Sequence, residues 1–440
     1  MSISQTAQIE SNKAKKGWWF YMKKQKFLLT LWSVLLVCAM AINLTGCTSQ
    51  VQAKNLVENM TPKDVEPTTD LSSQNDAVTD FALRLFQNTN TTTENTLISP
   101  LSVLCALSMT ANGANAKTLE EMEQVLGMTP EDLNQYLYTY VRNLPQGENY
   151  KLSLANSIWF TDDERFTVRE DFLQTLTDYY RADVYAAPFD NQTCKDINNW
   201  VEENTDGMIP EILDQIPPNA VMYLINALAF DARWSETYKK YQVREGDFTK
   251  EDGTIQKADF MYSTEHSYLE DDRATGFVKY YKGGKYAFVA LLPKDGIDLS
   301  QYISSLTGDA LHDLLNEPAY TTVYTSIPKF ESEYSVEMSE ILKAMGMTSA
   351  FDPATADFTD LGSSTAGNIY INRVLHKTYI SVEEEGTKAA AVTAVEPGDG
   401  AAIEQEEPKE VYLDRPFVYM LIDCENNIPF FMGTMTDMDG

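Results

Sequence analysis

Residues 383–394, Glu383-Glu384-Glu385-Gly386-Thr387-Lys388-Ala389-Ala390-Ala391-Val392-Thr393-Ala394, restrict the fold of this chain more than any other stretch. They follow a β-rich run, His376-Lys377-Thr378-Tyr379-Ile380-Ser381-Val382, and lead into an acidic, loop-like segment over 396–410. A second strand pattern resumes at Arg415-Pro416-Phe417-Val418-Tyr419-Met420-Leu421. An alanine run on its own favours helix. Gly386 before it, the β-branched Val392 and Thr393 within it and Pro397-Gly398 after it oppose one. The small residues suit a segment that is exposed in one state and extended and buried in another.

The rest of the chain reads as helices first and strands later. Helical periodicity dominates the first third, over 75–87, 100–111, 117–127 and 130–144, and strand patterns dominate the last half. Strands are expected over 152–160, 182–189 and 220–230, with helices over 168–180 and 194–206. Residues 368–382 read as helix and then strand. The order is not an alternating βαβ series and shows no internal repeat, so it predicts an α+β domain over 75–440 with large antiparallel or mixed sheets. Hydrophobic residues make up 43 % of the 440 positions, enough for one large core. The net charge of −31 excludes a nucleic-acid partner, whose phosphates require Lys and Arg.

Before this domain the chain reads as an export signal. Lys23, Lys24 and Lys26 precede an uncharged apolar run over 27–44, and Met22 opens a conventional leader by itself. Leu44-Thr45-Gly46-Cys47 resembles the lipobox of bacterial lipoproteins. That resemblance implies a signal peptide over 1–46, lipid on Cys47 and a lipid-anchored protein at the outer face of a bacterial membrane or released from it. The alternative is a permanent transmembrane anchor. Residues 47–74, polar and containing Pro62 and Pro67, read as a flexible tether. Cys105, Cys194 and Cys424 are scattered and form neither a disulfide framework nor a metal motif.

No catalytic constellation emerges. The histidines are His266, His312 and His376, and neither HExxH, GxSxG nor a phosphate-binding glycine loop occurs. The acidic runs at 162–164 and 383–385 read as solvated turns or strand ends, so no metal and no cofactor is expected. His376, within an apolar strand context, reads as a hydrogen-bonded core residue.

Several separated motifs resemble, in order, those of the serpin family over nearly all of 75–440. Ile98-Ser99-Pro100-Leu101-Ser102-Val103 resembles the start of its buried helix, and Leu154-Ala155-Asn156-Ser157-Ile158-Trp159 a strand of its central sheet. Ile197-Asn198-Asn199-Trp200-Val201 with Thr205-Asp206-Gly207-Met208-Ile209 resembles the helix across that sheet. Leu224-Ile225-Asn226-Ala227-Leu228-Ala229-Phe230 with Trp234, then Leu413-Asp414-Arg415-Pro416-Phe417-Val418 and Pro429-Phe430-Phe431-Met432-Gly433, complete the set. The resemblance implies about eight or nine helices around three β-sheets, with an exposed reactive-centre loop over roughly 383–410. It also implies a polar shutter and breach of Ser99, Ser102, Asn226, His376 and Trp234.

An inhibitory serpin offers its loop to a protease, is cleaved, and inserts the loop as a new strand while the protease is held as an acyl-enzyme. The hinge here would be Glu384, Gly386, Thr387, Ala389, Ala390 and Ala391. Strand alternation turns Thr387, Ala389, Ala391 and Thr393 inward, all small and uncharged. Counting from Gly386 by the family's spacing places the scissile bond among Gly400, Ala401, Ala402 and Ile403; counting back from Pro416 gives about Gln405. These side chains suit an elastase-like or subtilisin-like serine protease, with a cysteine protease as a further possibility and Asp399 leaving room for an acid-directed one. The expected inhibitor is monomeric and is not an enzyme. The alternative is a non-inhibitory serpin that binds a ligand or partner.

Overall fold

The computed structural model describes residues 51–90, 94–217, 220–387 and 407–439. Strand β1 (Lys54–Asn55) precedes helix α1 (Ser72–Thr89), strand β2 (Thr96–Ile98) and helices α2 (Pro100–Ala111), α3 (Ala116–Leu126) and α4 (Pro130–Asn143). Next come β3 (Tyr150–Thr161), β4 (Phe166–Val168), α5 (Glu170–Tyr179), β5 (Asp183–Ala187), α6 (Asn191–Asn204) and β6 (Met222–Arg233). A strand-rich stretch follows: β7 (Val243–Thr249), β8 (Ile255–Glu270), β9 (Ala274–Tyr280) and β10 (Tyr286–Pro293). Helices α7 (Leu299–Ser305) and α8 (Gly308–Asn316), strands β11 (Ala319–Pro328) and β12 (Phe330–Glu337), and helix α9 (Ser339–Met345) lead to β13 (Gly362–Ser364) and β14 (Arg373–Val382). The chain closes with β15 (Gly386–Thr387), β16 (Lys409–Tyr412), β17 (Phe417–Asp423) and β18 (Pro429–Met435). The described residues thus form an α+β fold of nine helices and three sheets. Residues 368–372 do not form the expected helix.

The central sheet has seven strands in the order β1-β5-β3-β6-β15-β14-β12. Its middle strand, β6, is buried along almost its whole length, which is why it reads as a continuous apolar run rather than an alternating one. On one face lies α6, whose Ile197, Trp200 and Val201 pack with Trp159, Tyr223, Ile225 and Leu375. Helix α6 is held in register by Asp190, which accepts hydrogen bonds from the Gln192 and Thr193 amides in a capping box. The other face meets α2 and a nine-stranded sheet that includes β8, β9, β10, β17 and β18. Helix α2 is buried all round, and it starts where Ser99 caps the Ser102 amide and Pro100 fills the first turn.

A second expectation differs. Residues 51–71, read from composition as part of a free tether, lie along the domain. Lys54 and Asn55 pair with Ala186 and Tyr185 of β5, and the Gln52 and Ala53 amides both donate to Asp196 Oδ2 at 2.9 Å. Leu56, Val57 and Met60 rest against the core. Backbone groups and a few apolar side chains suffice for this docking, so polar composition did not signal it. Cys47 and the expected leader over 1–46 lie outside the described residues.

Candidate functional site

The site is a seam. Strands β6 and β14 run parallel and pair directly from Tyr223–Arg373 to Leu228–Thr378. Above that stretch they diverge, and β15 enters between them. Gly386 and Thr387 pair antiparallel with Arg233 and Ala232 of β6, while Thr387 also faces Val382 of β14. The segment Gly386–Thr387 is therefore seated between β6 and β14.

Several contacts hold it. The turn closes through the Glu383 amide on the Gly386 carbonyl at 2.9 Å, with Trp234 Nε1 donating to the Glu383 carbonyl at 2.8 Å. The Trp234 and Tyr238 amides donate to the carbonyls of Glu385 and Glu384 at 3.0 and 2.9 Å. Glu385 pairs with Arg233 at 2.7 Å, and Glu384 with Lys329 at 2.9 Å. Gly386 is fixed by a close approach: a Cβ there would stand 2.0 Å from the Ala232 carbonyl oxygen. Thr387 is 1 % exposed, and its hydroxyl lies 2.6 Å from the Tyr281 hydroxyl. Tyr281 stacks on Trp234 with ring centroids 4.4 Å apart, and Lys279 Nζ lies 5.4 Å from the Trp234 ring. Lys279 is itself buried and paired with Glu265 at 2.7 Å.

Lower down, a polar latch crosses the seam. Asn226 of β6 and His376 of β14 are direct register partners, and Asn226 Oδ1 lies 2.6 Å from His376 Nδ1. The Ser99 amide donates to His376 Nε2 at 3.0 Å, which makes Nε2 the acceptor and places the ring proton on Nδ1, toward Asn226. Ser102 Oγ donates to the same Asn226 oxygen at 2.8 Å. Burial pushes the His376 pKa down to about 3, so the ring is neutral. A strand entering between β6 and β14 must break the Asn226–His376 contact.

Ser99, Ser102, Asn226 and His376 thus form one cluster, and Trp234, Glu384, Gly386 and Thr387 form another at the top of the seam. Ala389, Ala390, Ala391, Gly400, Ala401, Ala402 and Ile403 lie outside the described residues. Sequence reasoning missed Tyr281, Lys279 and Asn156. Asn156 stands opposite Asn226 across the β3–β6 ladder and so shares its face, and its Oδ1 has no hydrogen-bond partner among the described residues. An asparagine in the middle of the strand pattern over 154–159 was the available signal. Neither Tyr281 nor Lys279 carried one, because only the fold brings the β9–β10 corner to the hinge. Among the described residues no group of His, Cys, Asp or Glu could hold a metal.

The site thus consists of two strands paired below and parted above, a polar contact across them, and residues 386–387 of the same chain lying between them. The sequence matches the family described as Serpin (serine protease inhibitor) over residues 76–438. The chain belongs to the serpin family, a protease-inhibitor fold. A thermophilic serpin, tengpin, in its native state superposes with a TM-score of 0.84 at 48 % identity, covering 88 % of this chain and 100 % of that one. The same protein in its latent state gives 0.75 at 45 % identity, covering 86 % and 100 %. The better match to the native state agrees with the closed seam. A serpin-like protein of Thermococcus kodakarensis is 30 % identical, covering 92 % of this chain and 98 % of its own.

Proposed function

We propose that the chain is an inhibitory serpin, a suicide substrate that traps a serine protease by inserting its own loop into the seam. The seated hinge carries this reading, because its register is continuous with both flanking strands. Thr387 faces Ala232 and Val382. Moving four residues along each strand brings Ala391 opposite Leu228 and Thr378, which already pair with each other. Moving nine brings Glu396 opposite Tyr223 and Arg373, the last such pair. Pro397, which has no N–H to give a ladder, falls just beyond. In this register Ala389, Ala391 and Thr393 share the inward face of Thr387 and are small enough to enter a packed interior.

The protease serine attacks the scissile carbonyl, the amine of the C-terminal piece leaves with a proton, and the acyl-enzyme remains on the N-terminal piece. Insertion then carries the attached protease along the sheet before water can release it. The small and aliphatic residues Gly400, Ala401, Ala402 and Ile403 favour an elastase-like or subtilisin-like target. The leader and Cys47 support a lipid-anchored inhibitor acting outside the cell.

The test is incubation with pancreatic elastase and, separately, subtilisin, followed by a denaturing gel. A covalent band at the mass of the protease plus the N-terminal piece of the chain is expected, with the released C-terminal peptide starting between Ala401 and Glu404. Loop cleavage by both enzymes without such a band would refute the trapping reading.

A further inference from the structure

A cavity of about 160 Å³ opens between α4, the end of α5, α6 and β3. It lies one strand away from the seam, where Asn156 of its lining stands opposite Asn226, and takes no part in the contacts of Gly386 and Thr387. Its inner wall is apolar, with Leu137, Val141, Leu154 and Ala182, and its aromatic side holds Tyr138, Tyr180 and Trp200. The volume fits one six-membered ring with a small substituent, since an apolar cavity of about 150 Å³ holds benzene.

Three polar features give the cavity a chemical direction. Arg142 and Arg181 both line it and both are solvent-exposed. Neither forms an ion pair among the described residues, in a chain with 65 acidic and 34 basic side chains. Arg142 is set in place by Tyr138: its guanidinium lies 4.7 Å from the ring centroid and donates to the hydroxyl. Arg181 follows the end of α5 with φ of +50°, a left-handed conformation that glycine adopts without strain. Keeping an arginine there costs local stability, which points to use of its side chain. The third feature is Asn156 Oδ1, a buried acceptor without a partner among the described residues. Asp183 is the one acid of the lining, and its Oδ2 is taken by Trp200 Nε1 at 2.8 Å.

We infer that this cavity binds a small aromatic carboxylate, with the carboxylate on Arg142 and Arg181, the ring in the apolar interior and a donor group toward Asn156. Two guanidiniums match a carboxylate in charge and in planar geometry. The tyrosines and Trp200 supply faces for the ring.

The experiment is isothermal titration of the full chain with 4-hydroxybenzoate, benzoate, 4-hydroxybenzamide and benzamidine. The two carboxylates are expected to bind at least tenfold tighter than the amide, and 4-hydroxybenzoate tighter than benzoate. Arg181→Gly is the decisive variant, because glycine relieves the backbone. It is expected to keep or raise the melting temperature while weakening 4-hydroxybenzoate at least tenfold, which corresponds to about 1.4 kcal/mol. Arg142→Gln is expected to weaken it similarly. The inference is overturned if the amide matches the carboxylates, if benzamidine binds best through Asp183, if no probe binds, or if Arg181→Gly leaves affinity unchanged.

Discussion

Replacing Thr387 with arginine separates the inserted state from the native one. In the seated position the guanidinium would take the place of a hydroxyl that lies 2.6 Å from Tyr281, at a site 1 % exposed. The carboxylates beside it are committed, Glu384 to Lys329 and Glu385 to Arg233, and a cation, Lys279, is already buried beneath Trp234. A buried and unpaired charge costs several kcal/mol, taken here as about 3. If half of this is felt at the transition state for insertion, the barrier rises by about 1.5 kcal/mol and insertion slows roughly tenfold. Hydrolysis of the acyl-enzyme is untouched, so the balance shifts tenfold toward release of active protease. The native fold tolerates the change, because the two residues of β15 can withdraw without disturbing the β6–β14 pairs below. The assay is titration of elastase with inhibitor. In Thr387→Arg the inhibitor consumed beyond one per protease is expected to rise about tenfold over the wild type, with more cleaved chain relative to complex and a melting temperature near that of the wild type. Thr387→Ser, which keeps the hydroxyl, is expected to behave as wild type. Gel-stable complexes in wild-type yield from Thr387→Arg would refute the reasoning.

Two further perturbations probe the latch and the N-terminal strap. The folded pKa of His376, about 3, lies below its ordinary 6.5, so the unfolded chain binds the extra proton between those values. The stability contribution of His376 is complete above pH 6.5 and declines as pH falls toward 3, by up to about 1.4 kcal/mol per pH unit. Urea midpoints from pH 7.5 to 4.5 are expected to show a smaller slope in His376→Gln, and an unchanged slope would contradict the buried neutral ring. Asp196→Ala removes the acceptor for the Gln52 and Ala53 amides. It is expected to speed amide exchange over 51–60 about tenfold or more, through a loss of about 1–3 kcal/mol, and unchanged exchange would mean that β1 holds the strap without it.

The buried settings of Thr387 and of the polar residues Ser99, Ser102, Asn226 and His376 were legible, because each breaks a local rule. Small residues interrupt a strand, and polar ones sit in apolar runs. What stayed hidden depends on pairs distant in sequence. Nothing near Tyr281 shows that its hydroxyl meets Thr387, 106 positions away. The docking of 51–71 rests largely on backbone amides and one edge pairing, which leave no side-chain period to detect. Asn156 lies within a strand that the sequence predicts, yet only the β3–β6 register shows that it faces Asn226.

Insertion itself is tested by a single cut. The chain is nicked once within 388–406 by a protease that is not trapped, and thermal unfolding is compared before and after. If the loop enters the seam, the cut chain gains strand pairing along both β6 and β14 and buries Ala389, Ala391 and Thr393. Its midpoint is then expected to rise by about 10 °C or more, the equivalent of several kcal/mol. A cut chain that melts at or below the temperature of the intact one would contradict insertion.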